Sequence, residues 1–331
     1  MLNAGHTPRA SIIVPAYNAT ATIVPTLDSL CAQTFPDYEV VVVDDGSTDE
    51  TAAVVRAHGH PRIRLVRQQN RGLAGARNTG IANARGAFIG FCDADDLWRP
   101  SKLSAHVAHL EASPQVGLSY SGSLLIDEKG QPLRIAQKPR LKNVTAAQIF
   151  RRNPVGNGSA AVLRRAALDD IAWRPLHETT RDWWFDENFR QSEDIECWLR
   201  LALTTGWQVE GVPGLLTLYR VAGNGLSAQT GRQYASWEQL VDKLSQRAPV
   251  FMARHLPAAR AYQMRYLARR AVTSGNGADA MRYLGAMLKS SARPVWEEPL
   301  KTVTTLAAAL GLAALGPNIV TVLRRLIARH M

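Results

Sequence analysis

Four consecutive valines in EVVVVDDGSTDE (residues 39–50) restrict the fold of this chain more than any other feature. A β-branched run favours a strand, and a run with no polar alternation favours a strand covered on both faces. The pattern recurs in SIIVPAYN (residues 11–18), RIRLV (62–66) and AFIGFC (87–92). Between these runs lie helix-like segments. One carries Ile23, Leu27 and Leu30 at 3–4 spacing, and another is the small-residue stretch GLAGARNTGIANARG (72–86). Such alternation predicts a parallel sheet flanked by helices, with ligands at the carboxyl ends of the strands. The polar clusters at Asn18, at Asp44 with Asp45, and at residues 93–96 all fall at such ends. Ser47 and Glu50 have capping-box spacing for the helix after the second strand.

Further along, VGLSYSGSLLID, GSAAVLRR and LLTLYR read as strands, and DIECWLRLALTTG (194–206) as an amphipathic helix. Beyond Gln229 the pattern is helical. This gives two expected regions, an α/β domain over 1–228 and a helical region over 229–331. A length of 331 residues, 46% of them hydrophobic, supports a sizeable core in each. Residues 302–323 carry no charge, but the four threonines, Gly311 and Pro317 predict two short helices broken at Pro317 rather than a membrane span. The N-terminus has no apolar signal-like run. Three scattered cysteines suggest neither a disulfide framework nor a zinc site, and fit a reducing compartment. A net charge of +11 favours phosphate-bearing or acidic partners. No interleaved basic and aromatic platform accompanies it, so nucleic acid is not expected.

The acids carry the chemistry. FIGFCDADDLW (88–98) ends a strand in Asp93, Asp95 and Asp96. Asp93 and Asp95, two apart in an extended segment, can share a face. They either cap a turn or offer hard oxygen ligands to Mg²⁺ or Mn²⁺. Asp96 reads as the cap of the helix that begins near Pro100. Asp44 and Asp45 either close a turn or accept hydrogen bonds from a base or ribose. Arg71 and Arg77 supply cations. Glu193 and Asp194 open a helix, where acids complement the dipole and one could serve as a general base. No P-loop, H-E-x-x-H or G-x-S-x-G pattern occurs, which removes support from ATPase-like, zincin and serine-hydrolase readings.

In this order, SIIVPAYNA, VVVVDDGSTDET, QNRGLAGARNTGI, GAFIGFCDADDLW and SEDIECWLRLA resemble the family 2 inverting glycosyltransferases of the GT-A fold. The resemblance runs from about Ala10 to Arg220. It implies an α/β fold, Rossmann-like with a mostly parallel central sheet, followed by the helical C-terminal region. It also implies a metal-dependent enzyme that moves one sugar from a nucleoside-diphosphate sugar, a UDP-sugar foremost, to a glycan or lipid-linked saccharide. Pro15, Ala16 and Tyr17 would line the base pocket, with Asp44 on the base. Arg71 and Arg77 would lie near base and diphosphate. Asp93 would sit by ribose and metal, and Asp95 would ligate Mg²⁺ or Mn²⁺. Asp194 would be the catalytic base, with Glu193 beside it.

Two departures stand out. The family's histidine shortly after the YR of the last strand is replaced by a stretch with Ala222, leaving Arg220, Asn224 or Ser227 for the leaving group. The Q-x-x-R-W signature of processive synthases is missing, which favours a single addition. Trp183 and Trp184 in RDWWFDENF either stack on a sugar or belong to the core. NIVTVLRRLIARH (318–330) is basic and amphipathic, which suits an anionic membrane surface or an ordinary packed helix. The expected place is cytoplasmic, peripheral on the inner membrane, in polysaccharide or cell-envelope biosynthesis. A nucleotide-sugar-binding protein without turnover and a sugar-1-phosphate nucleotidyltransferase are the competing readings.

Overall fold

The computed structural model describes residues 6–221 and 230–315. The chain divides into two compact units, residues 1–149 with 153–222 and residues 150–152 with 223–331. The boundary expected after residue 228 lies outside the described residues, as do Pro317 and the segment 318–330.

In the first unit nine strands form one sheet. They are β1 (Ala10–Ala16), β2 (Tyr38–Asp44), β3 (Ile63–Arg67), β4 (Phe88–Phe91), β5 (Leu97–Trp98), β6 (Val116–Ile126), β7 (Pro132–Gln137), β8 (Ala161–Arg164) and β9 (Gln208–Arg220). The order is β3-β2-β1-β4-β8-β6-β9-β5, with β7 also on β6. The first four strands are mutually parallel, as the apolar runs predict. Every residue of β1 and β2 is buried. Register sets Ala16 opposite Asp44 and Asp44 opposite Arg67, so three strands end on one line. The Cys92 N–H continues β4 by donating to the Ile13 carbonyl, which delivers Asp93 to the same edge. Beyond β4 the sheet is mixed. β8 runs antiparallel to β4 and β6, and β5 antiparallel to β9, whereas β6 and β9 are parallel.

The helices of this unit are α1 (Ile23–Cys31), α2 (Thr51–His58), α3 (Gly72–Asn83), α4 (Lys102–Ala112), α5 (Ala146–Arg151), whose last two residues are assigned to the second unit, α6 (Arg165–Asp169) and α7 (Glu193–Thr204). Alternate residues of the strands feed opposite faces. Val40 and Val42 pack in the cluster of Leu27 and Leu103, while Val41 and Val43 pack with Ala76 of α3. Gly80 lets α3 approach β1 closely, because a Cβ there would stand 2.2 Å from Ile13 Cγ2. The capping box is not formed. Ser47 Oγ accepts the Asn18 N–H, and Asp49 takes the N–H groups of Thr51 and Thr20, so a different acid closes α2.

The second unit holds α8 (Thr230–Arg247), α9 (Pro249–Thr273), α10 (Gly277–Ser290), α11 (Arg293–Glu297) and α12 (Pro299–Leu315). Leu267, Ala271, Leu284, Met287 and Ala309 share its core. Pro249 opens α9, where its missing N–H costs nothing, yet Pro257 sits inside the same helix without ending it. Among the described residues no helix is long and apolar enough to cross a membrane.

Candidate active site

At the carboxyl end of β1, Pro15 and Ala16 are buried and Tyr17 is exposed. Asn18 takes a left-handed backbone (φ 49). Its side-chain oxygen accepts the Thr48 N–H at 2.8 Å, which locks the β1 exit to the turn after β2. Asp44 is fully buried; its oxygens accept from Arg67 Nε at 2.9 Å and the Ser47 N–H at 3.0 Å. Asp45 has a structural task. It accepts the Arg71 and Gly72 N–H groups, each at 2.8 Å, and so satisfies the otherwise orphaned donors where α3 begins.

α3 then sends its two arginines to different places. Six residues at about 100° each leave them about 120° apart around the axis. Arg71 leaves the acidic cluster and pairs with Glu178 at 2.5 Å and Glu187 at 2.9 Å. It braces the segment that leads into α7 rather than reaching the end of β4. Arg77 points inward, 2% exposed, and donates to Asp93 at 2.8 Å and Glu193 at 2.6 Å. A cation between carboxylates favours its own charged form, and the guanidinium pKa is raised accordingly, over the opposing effect of burial.

The D-x-D turn is built on buried oxygen and nitrogen partners. The Asp93 N–H donates to Ser159 Oγ, whose hydroxyl donates to Asp96 at 2.5 Å. Asp96 also accepts the Arg220 N–H at 2.8 Å. Asp96 therefore does not cap α4. The two-residue strand β5 intervenes and turns its carboxylate inward. Arg220 Nε donates to the Asp95 carbonyl, and its Nη1 to the carbonyls of Asp127 and Glu128. The guanidinium expected as a leaving-group contact is thus engaged in shaping the turn. Asn224 and Ser227 lie outside the described residues. Below the turn, buried Lys102 donates to the Ala160 carbonyl and Thr217 Oγ1, each at 3.0 Å, and burial pushes its pKa down to about 7.

Burial, and then the Asp93 charge, push the Asp95 pKa up to about 6. The Asp95 carboxylate accepts its own backbone N–H and feels the Arg220 charge, and both favour its ionised form. Asp93 has Arg77 as a partner and Asp95 lies within the pull of Arg220, yet the two carboxylates offer only oxygen, the ligand chemistry that suits a hard divalent ion. Among the described residues no group of three or more acidic, histidine or cysteine side chains forms an all-protein cage. One or two carboxylates are the ligand count Mg²⁺ accepts when phosphates supply the rest.

Ser192 enters α7 through a left-handed backbone (φ 64), an uncommon conformation for a residue with a side chain. Glu193 follows, buried against Arg77. Asp194, half-buried, accepts the Ile195 N–H at 2.8 Å. Burial first and Glu193 second push its pKa up to about 7, against the pull of Arg77. Arg77 thus gathers Asp93, Glu193 and Asp194 into one electrostatic cluster.

Trp183 and Trp184 are buried, which places them in the core rather than against a sugar. Asn78 fixes their segment. Its amide oxygen accepts the N–H groups of Trp184 and Phe185, and its amide nitrogen donates to the Phe185 carbonyl and Glu187. The sequence reading missed Asn78 and Ser159. The only hint was their place in GARNTG and GNGSAA, beside residues already singled out.

The profile of glycosyl transferase family 2 matches residues 11–172. The chain is 33% identical over 229 residues to the succinoglycan biosynthesis protein ExoO of Rhizobium meliloti (strain 1021), over 66% of this chain and 63% of that one. Other curated relatives are longer still, and the chain spans 34% of the length of one and 18% of another. Two solved structures share the fold. Mannosyltransferase PcManGT from Pyrobaculum calidifontis, in complex with GDP-Man and Mn²⁺, matches with a TM-score of 0.58 at 24% identity over 94% of this chain and 88% of that one. S. aureus TarS 1-349, in complex with UDP-GlcNAc, matches at 0.55 and 19% identity over 92% and 81%. The architecture is the GT-A fold expected from the sequence.

Proposed function

Because the chain belongs to glycosyl transferase family 2, we propose that it moves one sugar, with inversion, from a nucleoside-diphosphate sugar to a hydroxyl of a glycan or lipid-linked saccharide. The observation that carries this reading is the Arg77 bridge. It joins Asp93, at the end of β4, to Glu193, at the start of α7, and so sets a candidate metal and diphosphate station beside a candidate base.

In this reading Tyr17, Pro15 and Ala16 border the nucleotide base, and Asp44 presents a fixed carboxylate there. Asp93 and Asp95 would hold Mg²⁺ or Mn²⁺, which would supply positive charge for the departing diphosphate. Asp194 takes the proton of the acceptor hydroxyl as that oxygen attacks the anomeric carbon from the face opposite the diphosphate. A group acts best as a base when its pKa lies near the working pH, which matches the raised value at Asp194. A UDP-sugar remains the preferred donor. TarS with UDP-GlcNAc and PcManGT with GDP-Man are reasons to include both nucleotides in any panel.

The test is a transfer and hydrolysis assay over such a panel with Mn²⁺, with the anomeric configuration of the product read by NMR. Retention of configuration would exclude the single displacement. The metal makes a separate prediction. Calorimetry is expected to give nucleoside-diphosphate binding ~10-fold or more tighter with Mn²⁺ than with chelator, about 1.4 kcal/mol. Asp95→Ala is expected to erase that difference. Equal affinity with and without the ion in the unaltered protein would remove the metal from the reading.

A further inference from the structure

We propose that the outward face of α11 and α12 docks on an anionic lipid surface. The helical period separates α12 into two faces. Thr302, Thr305, Ala309 and Leu312 are buried and face the core of the second unit. The opposite face carries Leu300, Val303, Ala307, Leu310 and Ala314, with no charge among them. Leu300 is 76% exposed, Val303 58% and Leu310 49%, and Trp296 of α11 is 80% exposed. A helix that is apolar on the side away from its own core needs a second apolar medium.

Charge selects the medium. Between Gly223 and Met331 there are fifteen Lys and Arg against five Asp and Glu, whereas the first 222 residues hold twenty-four against twenty-three. The chain's positive excess therefore lies almost wholly in the region that carries this face. Lys289, Arg293 and Lys301 are exposed along the same stretch. The neighbouring acids are already engaged, Glu297 by the Tyr262 hydroxyl at 2.6 Å and Glu298 by Arg265 and Lys301. A second copy of so basic a surface would repel the first. An anionic bilayer accepts both parts, the apolar side chains at the acyl boundary, with Trp296 at headgroup level, and the basic groups among the phosphates.

The test is vesicle flotation of the full chain. Vesicles of phosphatidylcholine with ~30% phosphatidylglycerol are compared with phosphatidylcholine alone. Binding is expected to be ~10-fold or more tighter to the anionic vesicles and to weaken with salt. Val303→Glu with Leu310→Glu is expected to lower it ~10-fold or more, with the thermal melt by circular dichroism unchanged because both positions are exposed. Three outcomes would overturn the proposal. The double variant could bind like the unaltered protein. Binding could be lost only with Arg324→Glu and Arg325→Glu, which would assign it to the chain beyond Leu315. Sedimentation could show a dimer that the double variant dissolves, without vesicle binding, which would make a second copy the occupant.

Discussion

Asp194→Asn is expected to lower kcat for sugar transfer by ~10²–10⁴-fold, the range that a positioned base contributes. Donor affinity should stay close to that of the unaltered protein, because the residues assigned to the nucleotide are elsewhere. Asparagine keeps the shape and the oxygen that accepts the Ile195 N–H, so the start of α7 has no reason to move. Stability supplies an independent sign. The folded chain holds the Asp194 proton more tightly than the unfolded chain does, since its pKa rises to about 7 from the ordinary carboxylate range. Its contribution is therefore intact below that range and is lost as pH rises through about 7. The amide escapes this loss, so the variant should melt higher than the unaltered enzyme at pH 8 and no higher at pH 4. In the unaltered enzyme kcat/KM should climb about tenfold per unit below pH 7 and level off above it. A variant that turns over normally would dismiss Asp194 as the base. A variant that is inactive and also unfolded would point to a structural role instead.

That prediction rests on a pairing that sequence could only half supply. The strands β1 to β4 were legible because their information is local: valine runs, glycine turns and acids at strand ends report on burial and direction within a few residues. The nearness of D-x-D and E-D was not local. It came from the family resemblance, and the structural reason, a guanidinium reaching two acids at once, has no signature in the spacing. Arg71 shows the limit most clearly. It shares a motif with Arg77, yet the helix turns it toward Glu178 and Glu187, partners more than a hundred residues away that no periodicity could nominate. Asp96 was misread for a related reason. Its environment depends on Ser159 and Arg220, which arrive from β8's approach and the end of β9. Strand β9 was itself read too short. It starts at Gln208 and passes through Pro213 and Gly214, residues that normally argue against a strand. Its pairing with β6 shifts register around Gly122, and there the bend is absorbed.

Removing Arg77 is expected to have the largest effect on the fold. Arg77→Met should cost ~3–5 kcal/mol, the usual penalty for breaking a buried ion pair by deleting one partner. Methionine fills much of the volume and can still lie near the Phe185 ring, 5.4 Å from the guanidinium carbon, so packing is largely preserved. What is lost is the counter-charge for Asp93, Glu193 and Asp194. With chelator present the uncompensated acids are relieved by taking up protons, so the penalty should be greatest near pH 8 and shrink toward pH 5. A loss that is the same at both pH values would mean that packing rather than charge was removed. Arg77→Lys separates charge from geometry. It restores one positive charge and should recover part of the stability. A single ammonium cannot reproduce the two-armed bridge, with one nitrogen on Asp93 and another on Glu193. Displacement of the metal station relative to the base by as little as 1 Å costs ~10²-fold in rate, so kcat should stay down by about that factor in a protein that is mostly folded. If lysine instead restores the rate along with the stability, the acids need only a nearby cation, and the bridge is not what aligns the end of β4 with the start of α7.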